Sequence, residues 1–168
     1  MKVVVATDGT LDPEQVAGYV VPLAASDTVH VLTVVEVPRR LLADLRAVYG
    51  EQPAVRVDRD AEYVSPSGSG VPPQDWPGDD AMIDRYLSDK LTERTAPMVD
   101  AITAAGGNAA AEVVESENSA NSILEQAKEL GADLICIGAH GQGVFEGLLG
   151  SVGTKVVRRA HVPVLLIH

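Results

Sequence analysis

Five short apolar runs, none of which alternates apolar with polar residues, constrain the fold of this chain most strongly. They lie at Val3–Ala6, Val29–Val35, Gly107–Glu115, Asp133–Gly138 and Val162–Ile167, and the third is the weakest. Strands that are apolar on both faces are typical of a parallel sheet covered by helices. Segments with helical spacing separate the runs. The chain should therefore pass from each strand to the next through a helix. The pattern predicts a single-domain α/β fold with an open, parallel, five-stranded sheet and helices on both faces.

Capping and breaking residues predict the limits of the helices. Asp12 can accept hydrogen bonds at an N-cap and Pro13 suits the first helical position, so a helix should begin at about residue 13. Pro22 should kink or end this helix, because proline lacks a main-chain N–H. Three further helices are expected at about 80–104, 119–130 and 151–160, and Pro97 should bend the first of them.

Residues 39–80 interrupt the alternation of strands and helices. Residues 40–49 are long enough for three turns of helix, whereas Val64–Pro73 combines turn-forming residues without an apolar period. We interpret 39–80 as an insertion in a domain that spans residues 1–168, and we expect it to contain an exposed, flexible loop.

Composition and charge exclude several function classes. The 168 residues carry 13 Lys and Arg against 24 Asp and Glu, a net charge of −11 that opposes binding to nucleic acid. No apolar run approaches the length of a membrane span and the first residues do not form a signal peptide, so we expect a cytoplasmic protein without a membrane partner. The single cysteine, Cys136, lies within the fourth run and is predicted to be a small buried hydrophobe.

A glycine-rich segment follows the fourth run, from Gly138 to Gly153. Glycine costs backbone entropy on folding, so close approach of the main chain to a ligand explains the segment better than a plain connection. Main-chain N–H groups in such a loop, and at the helix that begins near Gly150 and Ser151, favour phosphate oxygens. The pattern is neither a Walker A loop nor a dinucleotide fingerprint. It predicts a nucleotide site of another kind, and the alternative is a tight turn that binds nothing.

This pattern resembles the motif of the universal stress protein family, in its ATP-binding subgroup. The family motif is Gly, two residues, Gly, nine residues, Gly and then Ser or Thr, whereas here eight residues (142–149) separate Gly141 from Gly150. Val3–Thr10 is similar to the family's first strand and loop, and Pro163–Ile167 to its closing strand. The resemblance covers residues 1–38 and about 100–168. It implies a Rossmann-like fold of the adenine-nucleotide α-hydrolase type, with ATP as the ligand.

The resemblance also implies which residues contact the nucleotide. Adenine and ribose contacts fall on Ala6, Thr7, Asp8 and Val34, sugar and phosphate contacts on Gly138, His140 and Gly141, and contacts to the phosphate tail on Gly150, Ser151 and Val152. Aspartate is also common in turns, so Asp8 has that alternative role. A phosphate or main-chain contact suits His140 better than general-base catalysis, because no carboxylate in the motif is placed to orient it. No metal site is expected, and Mg²⁺ would be held through the phosphates.

The function that the resemblance implies is regulatory: an ATP-binding stress-response protein that hydrolyses ATP slowly at most. Two alternatives remain open. One is a sensor of AMP or a cyclic nucleotide, which the shortened segment 142–149 would tolerate; the other is an enzyme that attacks the α-phosphate. The resemblance further implies a homodimer that pairs through the C-terminal strand at about 163–167, since an apolar edge strand left bare promotes aggregation.

Overall fold

The strands and helices alternate along the chain as the apolar runs predict. The computed structural model describes residues 1–37, 79–139 and 149–168. Their elements are β1 (Val3–Ala6), α1 (Pro13–Ala24), β2 (Thr28–Val35), α2 (Asp79–Ala104), β3 (Asn108–Glu115), α3 (Ser119–Glu129), β4 (Leu134–Gly138), α4 (Ser151–Arg159) and β5 (Val164–Ile167). Each strand lies within one or two residues of its predicted run.

The five strands form one parallel sheet in the order β3-β2-β1-β4-β5. At the centre, Val5 of β1 pairs with Val31 of β2 on one side and with Cys136 of β4 on the other. The order reverses between β1 and β4, because the chain adds β2 and β3 on one side of β1 and then β4 and β5 on the other. This reversal matters for function, since open α/β sheets bind ligands at such a point.

Helices cover both faces of the sheet, as predicted. On one face, Val3 and Val5 pack with residues of α1 and α2, among them Val20 and Ile102. On the other face, the alternate strand residues pack with α3 and α4. That second cluster contains Val4, Ala6, Leu32, Ile135, Ile137, Ile123, Ala127 and Val156. Cys136 is fully buried and burial raises the pKa of its thiol to about 12, which confirms its role as a small hydrophobe.

The first helix begins as predicted but does not end at its proline. Asp12 Oδ1 accepts hydrogen bonds from the Glu14 and Gln15 N–H groups at 2.9 and 3.2 Å. The helix continues past Pro22 to Ala24. Of the two predicted effects of Pro22, a kink or an end of the helix, the end was wrong. This proline removes only the bond to the carbonyl of Gly18, an exposed residue whose carbonyl water can satisfy.

Residues 1–37 and 86–168 form one compact unit that contains the sheet, and residues 38–85 form a second unit. The predicted insertion at 39–80 falls within the second unit. Its expected helix at 40–49 and flexible loop lie outside the described residues. No helix in the described ranges combines the length and hydropathy that crossing a membrane requires.

Candidate functional site

A cavity of about 260 Å³ opens at the carboxyl ends of β1, β2 and β4, at the reversal of strand order. Small-molecule sites commonly have volumes of roughly 300–1,000 Å³, so this cavity is near the lower limit. Its described lining consists of Ala6, Thr7, Asp8, Thr10, Leu11, Leu32, Val34, Ser119, Ile123, Ile137, Gly138, Gly150, Ser151, Val152 and Gly153. The walls are mostly apolar, with hydroxyls, main-chain groups and one carboxylate among them.

Every predicted site residue that the structure describes lines this cavity. These are Ala6, Thr7, Asp8, Val34, Gly138, Gly150, Ser151 and Val152. His140 and Gly141 lie outside the described residues. Residues from both ends of the chain therefore meet at one cavity, while their contact with a nucleotide stays a prediction.

The cavity also has lining residues that the sequence analysis missed. They are Thr10, Leu11, Leu32, Ser119, Ile123, Ile137 and Gly153. Leu32 lies two residues before Val34 on the same face of β2, so strand periodicity could have identified it. Ser119 and Ile123 lie on the first turns of α3, and nothing in their own sequence marks them as parts of a site.

The loop after β1 holds the one carboxylate in the described lining. Asp8 Oδ1 accepts hydrogen bonds from the Thr10 N–H at 3.1 Å and from the Thr10 hydroxyl at 2.6 Å. Gly9 has a φ of 92° and donates its N–H to Thr7 Oγ1 at 3.0 Å. Asp8 is thus a turn residue, and it is exposed with its second oxygen, Oδ2, outside these bonds. One side chain serves both the turn and the cavity.

The helix α4 begins at the cavity without a side-chain cap. Gly150 occupies the N-cap position, and no acidic residue lies in the first turn. The Thr154 N–H donates to the Gly150 carbonyl at 2.8 Å, so the helix uses none of the N–H groups of Ser151, Val152 and Gly153. Free N–H groups and the helix dipole together attract an anion to this end.

The start of α4 is fixed in place by the chain itself. The Gly150 N–H donates to the Ala139 carbonyl at 3.2 Å, and the Thr154 hydroxyl donates to the Leu149 carbonyl at the same distance. A Cβ on Gly153 would lie 2.9 Å from a Leu149 methyl carbon, closer than packing allows. Glycine at 153 therefore leaves room for the Leu149 side chain against the first turn of α4.

Comparison with known proteins finds one family. The model of the Universal stress protein family matches residues 1–168. Universal stress protein G of Shigella flexneri is 28% identical over 105 residues, which are 62% of this chain and 73% of the relative. A universal stress protein of Mycolicibacterium smegmatis is 44% identical over 55 residues, which are 32% of this chain and only 18% of the relative's length.

Solved structures of the same family share the fold. A universal stress protein from Archaeoglobus fulgidus is 20% identical with a TM-score of 0.61, covering 100% of this chain and 93% of that one. A universal stress protein in complex with cAMP is 23% identical with a TM-score of 0.52, covering 100% and 96%. A family protein from Arabidopsis thaliana with AMP bound is 16% identical with a TM-score of 0.56, covering 99% and 90%.

Proposed function

Because this chain belongs to the universal stress protein family, we propose that it is a regulatory stress protein that binds an adenine nucleotide, with ATP as the first candidate, in the cavity at the ends of β1, β2 and β4. One observation carries this proposal: the uncapped start of α4 and a mostly apolar wall line the same cavity. An apolar wall suits a purine, and free N–H groups suit phosphate oxygens. The AMP and cAMP held by solved family members support adenine as the base.

The base and ribose would occupy the part of the cavity near β1 and β2. Leu32 and Val34 offer apolar surface from β2, and Ile123 of α3 and Ile137 of β4 add to it. The free oxygen of Asp8 can accept from a ribose hydroxyl, because the other oxygen is already fixed by Thr10. An exposed carboxylate at this end would also keep phosphate groups away from it and thereby orient the nucleotide.

The phosphates would bind at the start of α4. The N–H groups of Ser151, Val152 and Gly153 are the donors, and Gly138 lets the main chain of β4 approach closely. By resemblance to the family, His140 and Gly141 would complete this end. Phosphate oxygens accept such charge-assisted hydrogen bonds strongly.

The described lining favours binding over catalysis. Asp8 is its one acidic residue, and one of its carboxylate oxygens already accepts two hydrogen bonds from Thr10. Among the described residues no group of three His, Cys, Asp or Glu side chains could hold a metal ion. Any Mg²⁺ would then be held through the phosphates, and ATP turnover would stay well below the roughly 1–100 s⁻¹ of kinases.

AMP or a cyclic nucleotide is the second candidate ligand. The glycine motif, one residue shorter than the family's, supports this candidate, because the shortened segment 142–149 would tolerate a ligand that lacks a triphosphate. Under this second proposal the protein is a sensor that does not depend on ATP.

Chemical analysis of the nucleotide released from the purified protein separates these functions, followed by calorimetric titration with ATP, AMP and cAMP. A ligand at 100 times its Kd should stabilise the fold by about 2.7 kcal/mol and raise the Tm by about 5–10 °C. Intact ATP supports the first proposal and AMP or cAMP the second. Consumption of ATP with a second substrate would indicate an α-phosphate enzyme, and no binding of any nucleotide would overturn the proposed function.

We also propose that two copies pair through β5. This strand pairs with β4 on one side, and Val164, Leu165 and Leu166 are half-buried. The carbonyls of Pro163 and Ile167 accept from the N–H groups of Ile135 in β4 and of Ala139 just after it. Because main-chain groups point alternately to the two sides of a strand, those of Val164 face the open edge. Val164→Pro should therefore convert a dimer to a monomer in light scattering while the β4 bonds remain. Val164→Ala, which keeps the N–H, should remain dimeric; a wild-type monomer would contradict the proposal.

A further inference from the structure

A second cavity, of about 490 Å³, is lined by α3 and by the end of α4. The described linings of this cavity and of the one proposed for the nucleotide share no residue. We call the second cavity the basic groove. Its described lining consists of Asn121, Leu124, Glu125 and Lys128 of α3, Arg158 and Arg159 of α4, and Ala160 and His161 after that helix.

The basic groove concentrates positive charge in a chain that is acidic overall. Its described lining holds three of the chain's 13 Lys and Arg but one of its 24 Asp and Glu, which is Glu125. His161 adds a further positive charge when it is protonated. A net charge of −11 repels acidic ligands from the chain as a whole, so affinity for such a ligand has to come from a local cluster of cations.

Three of the side chains that can carry this charge are available to a ligand. Lys128, Arg158 and His161 are exposed, and none of them forms an ion pair or a side-chain hydrogen bond with a described residue. The acidic neighbour of Lys128, Glu129, accepts instead from Gln126 Nε2 at 3.2 Å. The positive charge of the groove is therefore not neutralised by the part of the chain that the structure describes.

Arg159 is held in place at the groove by a bond between the two helices. Its Nη1 donates to Asn121 Oδ1, which lies 38 residues earlier in the chain. A guanidinium has five N–H donors in a planar arrangement that fits a carboxylate through two parallel hydrogen bonds. The bond to Asn121 uses one of these donors, and an arginine fixed in this way loses less side-chain entropy when it binds.

The groove also offers apolar surface. Leu124 and Ala160 are half-buried: each packs on the core with part of its surface, and both line the groove. The methylene groups of lysine and arginine side chains add to such surface. A free inorganic anion would use only the cations, whereas a peptide with an apolar side chain among carboxylates would use both kinds of surface.

We propose that the basic groove is a docking site for an acidic segment of a partner protein, in which an apolar side chain is flanked by aspartates or glutamates. The carboxylates bind Lys128, Arg158 and Arg159, and the apolar side chain contacts Leu124 and Ala160. Clusters of arginine recognise acidic motifs in the same way in other proteins. This inference goes beyond the proposed nucleotide binding and does not depend on it.

The test uses a fluorescently labelled nonapeptide, one leucine with four aspartates on each side, and measures its anisotropy without nucleotide. The wild-type protein should bind the peptide, and binding should weaken as the salt concentration rises from about 20 to 200 mM, because salt screens exposed charges. Arg158→Glu should weaken binding by about tenfold, since it removes one ion pair and adds a repulsion. Lys128→Glu, on the other helix, should do the same even if the first variant folds poorly.

The matched control is Lys155→Glu, which makes the same charge change at an exposed position of α4 outside both described linings. It should bind the peptide within about twofold of the wild type. A second peptide, with serine in place of leucine, should bind about fivefold more weakly, because it loses the apolar contact. The Tm of each variant reports any structural role of these cations at the helix ends.

Four results would overturn the inference. They are no binding of the leucine peptide by the wild type at low salt, equal weakening by Lys155→Glu and the two groove variants, equal binding of the leucine and serine peptides, and tighter binding of inorganic pyrophosphate than of the peptide. Because nucleotide is absent throughout, none of these results bears on the proposed function, and failure to bind nucleotide would leave this inference standing.

Discussion

The two helices that begin at the cavity, α3 and α4, differ in how their first turns are satisfied. At α3, Asn118 Oδ1 accepts from the Asn121 N–H at 3.3 Å, and the Ser116 hydroxyl oxygen in turn accepts from the Asn118 N–H at 3.0 Å. At α4, Gly150 offers no side chain and no cap forms. A cap typically contributes about 1 kcal/mol to stability. The fold uses the start of α3 for stability and leaves the start of α4 available to a ligand.

The largest expected effect comes from a carboxylate at the start of α4. Ser151→Glu should weaken AMP and ATP binding by about a hundredfold, because like charges placed together cost several kcal/mol. The free energy of unfolding should not fall, since Ser151 is exposed and an acidic residue suits the first turn of a helix. Calorimetry and chemical denaturation measure the two effects separately.

The control for this variant is Val157→Glu, which adds the same charge to an exposed position of the same helix outside the described cavity lining. It should bind nucleotide within about twofold of the wild type, as expected of a surface charge away from the site. Equal weakening by both variants would show that net charge, rather than the start of α4, determines affinity.

Removing the cap of α3 should lower the stability of the fold and leave nucleotide affinity almost unchanged. Asn118→Ala should lower the free energy of unfolding by about 1 kcal/mol and the Tm by about 2–4 °C, because the Asn121 N–H loses its acceptor. Nucleotide affinity should change little, since this N–H already belongs to the fold. A large loss of affinity with unchanged stability would mean that the contrast between the two helices is wrong.

The smallest effect should follow from giving α4 the cap that it lacks. Gly150 has φ −56° and ψ 159°, which other residues adopt without strain, so Gly150→Asn can form a capping bond. The cap should stabilise the fold by a few tenths of a kcal/mol and weaken nucleotide binding by about twofold, because the ligand must displace it. Gly150→Ala, which has no acceptor, is the matched control. Thermal denaturation with and without AMP distinguishes the two variants.

Much of the fold could be predicted from sequence because the buried parallel strands are continuous apolar runs. Continuous apolar runs such as Val3–Ala6 and Leu134–Gly138 are typical of strands at the centre of a sheet that helices cover on both faces. The effect of Pro22 was harder to predict. The free-energy cost of this proline inside the helix depends on whether the carbonyl of Gly18 reaches water, which the sequence does not reveal. The predicted homodimer, the bound nucleotide and the features of residues 39–78 stay predictions.

The candidate site could be predicted only in part. Glycines and a strand-end aspartate carry a local signal, and so Asp8 and Gly150 were identified. The hydrogen bond that Arg94 donates to the carbonyl of Val34, a lining residue, was not predicted, because it depends on a side chain that reaches from a distant helix to a strand end. Ser119 was missed for the same reason: its place at the cavity follows from how α3 packs on the sheet. Contacts between distant elements leave no mark on local sequence.

The central claim, that the start of α4 holds the phosphate, is tested most directly by calorimetric titration of the wild type and Ser151→Glu with adenosine and with AMP. The account predicts that AMP binds the wild type about a hundredfold more tightly than adenosine does, since charge-assisted bonds to the phosphate are worth about 1.5–3 kcal/mol each. In Ser151→Glu this difference should disappear while adenosine binding remains. Equal affinities for the two ligands in the wild type, or an undiminished difference in the variant, would contradict the account.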